Sequence, residues 1–444
     1  MYLTRVRLKD FRLFEYLDIP FASDEGVPRP WTLLLGDNAT GKTTLLLSIA
    51  IGLCDESSAA GLVRELKSLL RRGARENGAI QIELLDAQSQ PWTIQTEFHK
   101  IDRMGERVRQ KIFDCPIDQV PGDNSEGIDP DDFSWKKLFV VGYGAGRTTE
   151  GREEYGEYRA IDAVYTLFRY DQPLQSPELV WRRLLDTARR KAKRTGKDPE
   201  QAATKLNERV KAILHDVLLL SKKEEIDLDP TGIRFIGPGY SVPLSAHADG
   251  YKATTTWVLD MLAWRMLFDR MLSPKQMKGI VLVDEIEQHL HPRWQRYIVT
   301  RLKQQFPRLQ FIATTHSPLC SGGAGDLPEK ECTLIALSRD GKKIERDFLP
   351  SLRGLRADQI LTSDAFRLAE TRSPEIGEKV ERFRELFGKR KLSEPETQEM
   401  DQLRRFIFKT IPEAGQFEEE RRLRDELRHL IEQIEERLPK DRPK

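Results

Sequence analysis

The chain has 444 residues, 39% of them hydrophobic and 32% charged, which is enough apolar material for two or three folded domains and too much for a disordered chain. Its 72 Lys and Arg nearly cancel 71 Asp and Glu, so any polyanionic partner must be met by a local patch. No run of about 18 apolar residues is present to span a membrane. The four cysteines lie far apart without a C-x-x-C pair, which argues against a disulfide framework and a zinc site.

From the N-terminus, residues 1–21 alternate apolar and polar positions around Phe11-Arg12-Leu13-Phe14, as two short strands do, and lack the apolar block of a signal peptide. A reduced, cytoplasmic setting is the expectation. Trp31 to Leu35 is a buried strand ending at Gly36, and Thr43 to Leu53 is an apolar helix. Between them, Gly36-Asp-Asn-Ala-Thr-Gly41-Lys42-Thr43-Thr44 fits G-x-x-x-x-G-K-[ST] in its required strand–loop–helix setting. Gly36, Asn38, Ala39, Thr40 and Gly41 can turn backbone N–H groups inward around phosphate oxygens, and the helix that begins at Lys42, Thr43 and Thr44 adds its positive dipole end. Lys42 then reaches the β- and γ-phosphates, and the Thr43 hydroxyl is a Mg²⁺ ligand. ATP and Mg²⁺ are therefore the expected cofactors.

Further along, Ala79–Leu84 and Trp92–Phe98 alternate with period two and predict a hairpin, and residues 114–132 predict a long loop. Leu138–Gly142 is a strand followed by Gly142-Tyr-Gly-Ala-Gly-Arg147. Residues 177–220 predict charged helices containing the densest basic run, Arg189 to Lys197, which either contacts nucleic-acid phosphates or is a solvated helix face, the latter being favoured. A small hairpin is expected from Asp227 to Ile236 and an apolar helix from Thr254 to Met271.

Gly279-Ile-Val-Leu-Val-Asp284-Glu285 is an apolar strand ending in two carboxylates. Asp284 beside the cradle would hold Mg²⁺, and Glu285, one residue on, would orient or deprotonate the attacking water. His289 and His291 read as a loop at a protein interface, with a helix from Pro292 through Trp294, Ile298 and Leu302 behind them. Leu309 to Thr314 is a strand leading to His316, placed at the sheet edge where α/β proteins bind ligands and able to sense a γ-phosphate. A strand at Thr333–Leu337 follows, and only helices are expected after Ala365, the last presenting Leu423 to Leu438 on one face.

These motifs together resemble the ABC-type ATPase superfamily, in the branch with RecF, SMC-like and OLD-like proteins. The resemblance covers roughly residues 1–365 and implies an α/β P-loop ATPase head: a mixed sheet flanked by helices, an antiparallel β subdomain, and a helical insertion at about 150–225. It also implies a nucleotide-proximal role for Arg12. The glycine-rich segment ending at Arg147 stands in the place of the family's glutamine loop but has no glutamine. The signature segment that the family presents to a partner's ATP is matched by Leu244 to Lys252, with Gly250 as its glycine and Ala248 where the family has serine. A plain helix-capping loop is the alternative there. If the signature works, two copies close head to tail around two nucleotides, so the expected partner is at least a second copy of the chain.

About 235 residues separate Thr44 from Gly279, too few for a long SMC arm. No nuclease domain is expected in the chain. The segments Leu355–Asp364 and Thr371–Glu375, which lead into the helices of the C-terminal region 366–444, resemble the ATPase subunits of Septu-type antiphage systems and the similar ATPases of retron-linked operons. That implies a regulatory ATPase with oligomer or partner contacts in the tail, controlling a separate HNH nuclease subunit, with nucleic acid met through the complex. A RecF-like DNA-binding repair ATPase without a nuclease partner is the alternative reading.

Overall fold

The computed structural model describes residues 1–410 apart from 67–68, 75–76, 102–104, 123–124, 130–131, 148–149, 153–156, 230–231, 270–272, 342, 369–370 and 390–391. It contains two compact units, Met1–Arg367 and Leu368–Lys444.

The first unit is built on a six-stranded sheet in the order Lys343–Leu349, Cys332–Asp340, Trp31–Leu35, Leu309–Thr314, Gly279–Val283, Val140–Tyr143. All neighbours are parallel except the antiparallel edge pair 332–340 and 343–349. The inner strands are apolar throughout because both faces of a parallel sheet are covered. Strand alternation then divides them between two cores. Leu33, Leu35, Val281, Val283, Phe311 and Ala313 pack on the helical side. Leu34, Ile280, Leu282 and Ile312 point to the opposite side, against the helix Lys42–Gly52 and a second sheet.

That second sheet is antiparallel, ordered Phe14–Pro20, Tyr2–Phe11, Asn77–Leu85, Pro91–Ile101, Gly105–Phe113. Lying between the two sheets, the helix Lys42–Gly52 buries nine of its eleven residues, which is why it is apolar all round rather than amphipathic. The helical side is closed by Asp249–Asp269 and by the antiparallel pair Pro177–Arg194 and Pro199–Val217.

Several expectations need correction. The hairpin at 79–98 gains a third strand, Gly105–Phe113, whose charged outer face hides its pairing. The strand at 138–142 begins and ends later, at Val140–Tyr143, and the one at 333–337 runs on to Asp340 to pair with Lys343–Leu349. The hairpin at 227–236 is three-stranded, Glu225–Asp229, Gly232–Gly237 and Tyr240–Pro243. The segment 150–225 is not purely helical, since Glu150–Arg152 pairs with Leu174–Gln175. The helix expected at 254–271 starts five residues earlier, at Asp249. The helix behind Pro292 is broken into Pro292–Gln295 and Ile298–Gln305.

The second unit shows helices Pro374–Phe387 and Glu394–Thr410, joined by Arg382 to Glu399 at 2.9 Å and by Lys379 over the Phe406 ring at 3.7 Å. The stripe expected at Leu423–Leu438 lies outside the described residues. Among the described residues no helix is long and apolar enough to cross a membrane.

Candidate active site

The site lies where the strands Trp31–Leu35, Leu309–Thr314 and Gly279–Val283 end together. Gly36 leaves its strand with φ of 130°, and a Cβ there would lie 2.1 Å from the Leu337 carbonyl oxygen. Gly41, at φ of 98°, opens the helix, and a Cβ would lie 2.6 Å from the Phe14 ring. Only glycine fits either position. Asp37, Asn38 and Ala39 are exposed between them, while Thr40 turns inward and donates to the Asp37 carbonyl at 2.9 Å. Ala39 also has positive φ, 62°. Thr44 is half-buried on the first helical turn, behind Thr43.

Lys42 folds back over this loop and donates to the carbonyls of Gly36 at 2.8 Å and Asp37 at 2.7 Å. Burial lowers its pKa, opposed by the carboxylates of Asp284, Asp37, Glu285 and Glu287 around it. Thr43 Oγ1 donates to Asp284 at 2.9 Å, and Thr314 Oγ1 donates to the other carboxylate oxygen at 2.6 Å. Glu285 has φ of 48°, a conformation most side chains avoid. Its N–H donates to Thr314 Oγ1 at 2.7 Å. Burial, then Asp284 and Glu287, push its carboxyl above the usual range. That is the direction a general base needs in order to accept a proton near neutral pH.

His316 stands on the next loop, its backbone N–H donating to Glu287 Oε1 at 2.5 Å. Burial and then Lys42 hold its imidazole below the usual pKa, so it is neutral at neutral pH. Thus Lys42, Thr43, Asp284, Glu285 and His316 share one sheet edge.

Two residues of the site were not assigned roles from the sequence. The Arg147 side chain is buried and donates to the carbonyls of Gly144 at 3.2 Å, Asp284 at 2.7 Å, Glu285 at 2.8 Å and Ile286 at 3.3 Å. Burial pulls its pKa down to about 10, which leaves it charged at neutral pH. Half-exposed Tyr170 reaches the Thr43 hydroxyl, and its partial burial, then Asp284 and Glu285, raise its phenol pKa. Arg12, at φ of 49° and with its N–H on the Leu69 carbonyl at 2.6 Å, adds its charge near Tyr170. The empty glutamine position was the one available hint of either residue.

The remaining expectations fare differently. Gly250 is buried inside its own subunit, where a Cβ would lie 2.5 Å from the His289 carbonyl oxygen. What the loop exposes is Ser245, Ala246, Ala248 and Asp249. His291 caps the helix Pro292–Gln295 by accepting from the Arg293 N–H at 3.2 Å, and His289 is exposed at φ of 66°.

The donor set suits the expected cofactors. Thr43 and Asp284 offer only hard oxygens, which with phosphate oxygens and water match the demands of Mg²⁺. The buried atoms Glu287 Oε2 and Gln288 Oε1 have no hydrogen-bond partner among the described residues.

Strand order, glycine cradle and paired carboxylates together build a P-loop nucleotide-binding site at the end of a parallel sheet. A family described as "AAA domain" matches residues 5–140, and one described as "AAA domain, putative AbiEii toxin, Type IV TA system" matches residues 262–320. Among named proteins the chain is similar to the Septu protein PtuA of Bacillus mycoides, 24% identical over 403 residues, which is 90% of this chain and 50% of that protein. It is also similar to a retron Vc95 probable ATPase of Vibrio cholerae, 35% identical over 26% of this chain and 22% of that protein. The chain thus spans half the length of the first relative and less of the second. Of solved structures, an SMC head bound to a ScpA winged-helix domain aligns with TM-score 0.49 and 15% identity over 79% of this chain and 98% of that one.

Proposed function

We propose that the chain is a regulatory ATPase that binds and hydrolyses Mg-ATP at this site, assembles through nucleotide-dependent contact between two copies, and controls a partner HNH nuclease in bacterial antiphage defence. The observation that supports the chemistry is the convergence of Lys42, Thr43, Asp284 and Glu285 on one sheet edge. The similarity to the Septu protein PtuA and to a retron ATPase supports the biological setting.

In this reading the loop from Gly36 to Gly41 and Lys42 hold the phosphates, and Thr43 with Asp284 holds Mg²⁺. The ion supplies charge neutralisation at the phosphate oxygens. Glu285 accepts the proton of the attacking water, and neutral His316 offers a hydrogen bond towards the terminal phosphate. Residues 1–365 form the head, 366–444 serve oligomer or nuclease contacts, nucleic acid is engaged within the complex, and the cytoplasm is the setting. The exposed Ser245–Asp249 loop is the part of the signature segment free to meet a second copy; Asp249 would oppose a neighbouring phosphate there.

The test is Glu285→Gln. ATP binding should persist while turnover falls about 10²-fold or more, the scale of a lost general base. Unchanged hydrolysis would remove the assignment. Recovery of the chain from cells carrying its neighbouring genes, with and without ATP, would show whether a nuclease accompanies it; its consistent absence would remove the partner.

A further inference from the structure

At the end of the head remote from the cradle lies a groove of about 1000 Å³. The helix Lys42–Gly52 starts at the cradle and stops at this groove, where Leu53 is part of the wall, about 16 Å further along at 1.5 Å per residue. Asp249–Asp269, which begins at the signature segment, ends on the same groove with Phe268. The third wall is the C-terminal half of Pro177–Arg194, whose Thr187, Arg190, Lys191 and Arg194 have the spacing of a single helix face.

The charge of the groove is one-sided. Among the described residues, the lining sets Lys136, Arg159, Arg190, Lys191 and Arg194 against Asp55 and Glu157. Asp55 is engaged in capping, accepting from the Ser58 N–H at 3.0 Å and hydroxyl at 2.8 Å, and Arg159 pairs with Asp162 at 2.7 Å. Lys136, Arg190 and Arg194 have no ion pair or side-chain hydrogen bond among the described residues. A helix face that serves solubility intersperses its charges, and here Arg189, which turns away from the groove, does so by pairing with Glu200 at 2.9 Å. Uncompensated cations around one concave wall instead focus a positive field into it. Beside Lys136 stands Trp135, half-buried and braced edge-on against Phe133 at 4.9 Å, so its indole is a fixed apolar plate on the rim.

The geometry points to this groove as a binding site for the phosphodiester backbone of a nucleic-acid strand, with Trp135 as the stacking surface for a base. Cations alone would suit any polyanion; the aromatic plate among them selects an unpaired strand, because every base has a face to stack. The site is separate from the cradle, yet two helices run directly between the nucleotide face and its walls.

The experiment measures binding of a fluorescent oligothymidylate of about 16 nucleotides to the full chain by anisotropy, with a duplex of equal length and poly-glutamate as competitors. The triple variant K136E/R190E/R194E should bind at least ten-fold more weakly and flatten the log affinity against log salt slope by about 2, three phosphate contacts at about 0.7 each. W135A should weaken the single strand about ten-fold and leave the duplex nearly unchanged. K343E, on the edge strand of the central sheet, is the control. Retained binding of a fluorescent ATP analogue reports that each variant is folded, and Arg190→Ala alone takes the place of the triple change should that variant not fold. Unaltered affinity and slope in the charge variants, or preference for poly-glutamate or duplex over the single strand, would overturn the assignment.

Discussion

Arg147 holds Glu285 in a backbone conformation it would not choose by itself. One guanidinium nitrogen donates to the Glu285 carbonyl at 2.8 Å, at a residue whose φ is 48°. From the other side Thr314 Oγ1 accepts the Glu285 N–H at 2.7 Å. Positive φ at a non-glycine residue costs of order 1–3 kcal/mol and persists where neighbours over-determine it. Arg147→Met therefore leaves four carbonyls without their charged donor and releases the strained peptide. We expect a loss of about 3 kcal/mol in denaturant unfolding of the head, with ATP turnover lost further than stability explains. Wild-type turnover in a folded Arg147→Met protein would show that the clamp is structural only.

In the proposed role of general base, the raised pKa of Glu285 would set the acid limb of ATP turnover. As general base it works ionised, so the rate should fall as pH drops through its pKa, at a pH above the usual carboxylate range. Burial is the largest cause, but the negative charges of Asp284 and Glu287 push the same way. Glu287→Gln removes one such charge and keeps an oxygen for the His316 N–H. The limb should move towards lower pH in the kcat profile, with ATP affinity within a few-fold of wild type. A limb that stays in place, or moves up, would exclude Glu285 as the titrating group.

Most of this site is readable before any coordinates, because its parts are local. The glycines before Lys42 and the carboxylates after Val283 sit at chain positions where a buried strand must stop. Strand register then does the rest: Val283 pairs with Ala313, so Asp284 and Thr314 are neighbours. What local patterns do not carry is partnership across sequence distance. Arg147 meets Asp284 across 137 residues, and nothing about an arginine after a glycine-rich turn marks it as buried. Tyr170 arrives from the segment after a short helix, Ala160–Val164, and is placed by Gly144 and Gly146, whose missing side chains let it approach. The extra strands at 105–113 and 343–349 escaped for a related reason. Each has one charged face at a sheet edge, so its apolar content looks like that of a loop.

The Thr43–Asp284 pair predicts an absolute metal requirement. With only a hydroxyl and one carboxylate, the protein supplies too few ligands to hold Mg²⁺ tightly without phosphate oxygens. Chelation with EDTA should abolish hydrolysis, and Mg²⁺ should restore it. Thr43→Val removes one proposed ligand and also the donor to Asp284, so the Mg²⁺ concentration giving half-maximal turnover should rise about ten-fold. Hydrolysis that continues in EDTA would contradict the assignment of both residues.

Tyr170 is a further side chain beside Thr43, the residue proposed to hold the metal. Its phenol reaches Thr43, its ring lies against Gly144, and a Cβ on Gly146 would sit 2.3 Å from its carbonyl oxygen. The segment that would carry the family's glutamine thus serves as a seat for a tyrosine. A hydroxyl there can orient Thr43 or a metal-bound water, whereas the exposed ring adds little to the core. Tyr170→Phe keeps the ring and deletes the hydroxyl alone. Thermal stability should be unchanged, while the Mg²⁺ requirement rises a few-fold and turnover drops by roughly ten-fold, the scale of one lost hydrogen bond to a charged centre. Gly146→Ala should reproduce both effects by pushing Tyr170 away, with the tyrosine itself intact. If Tyr170→Phe turns over ATP like the wild type while Gly146→Ala does not, the loop matters for shape and the phenol has no part in the chemistry.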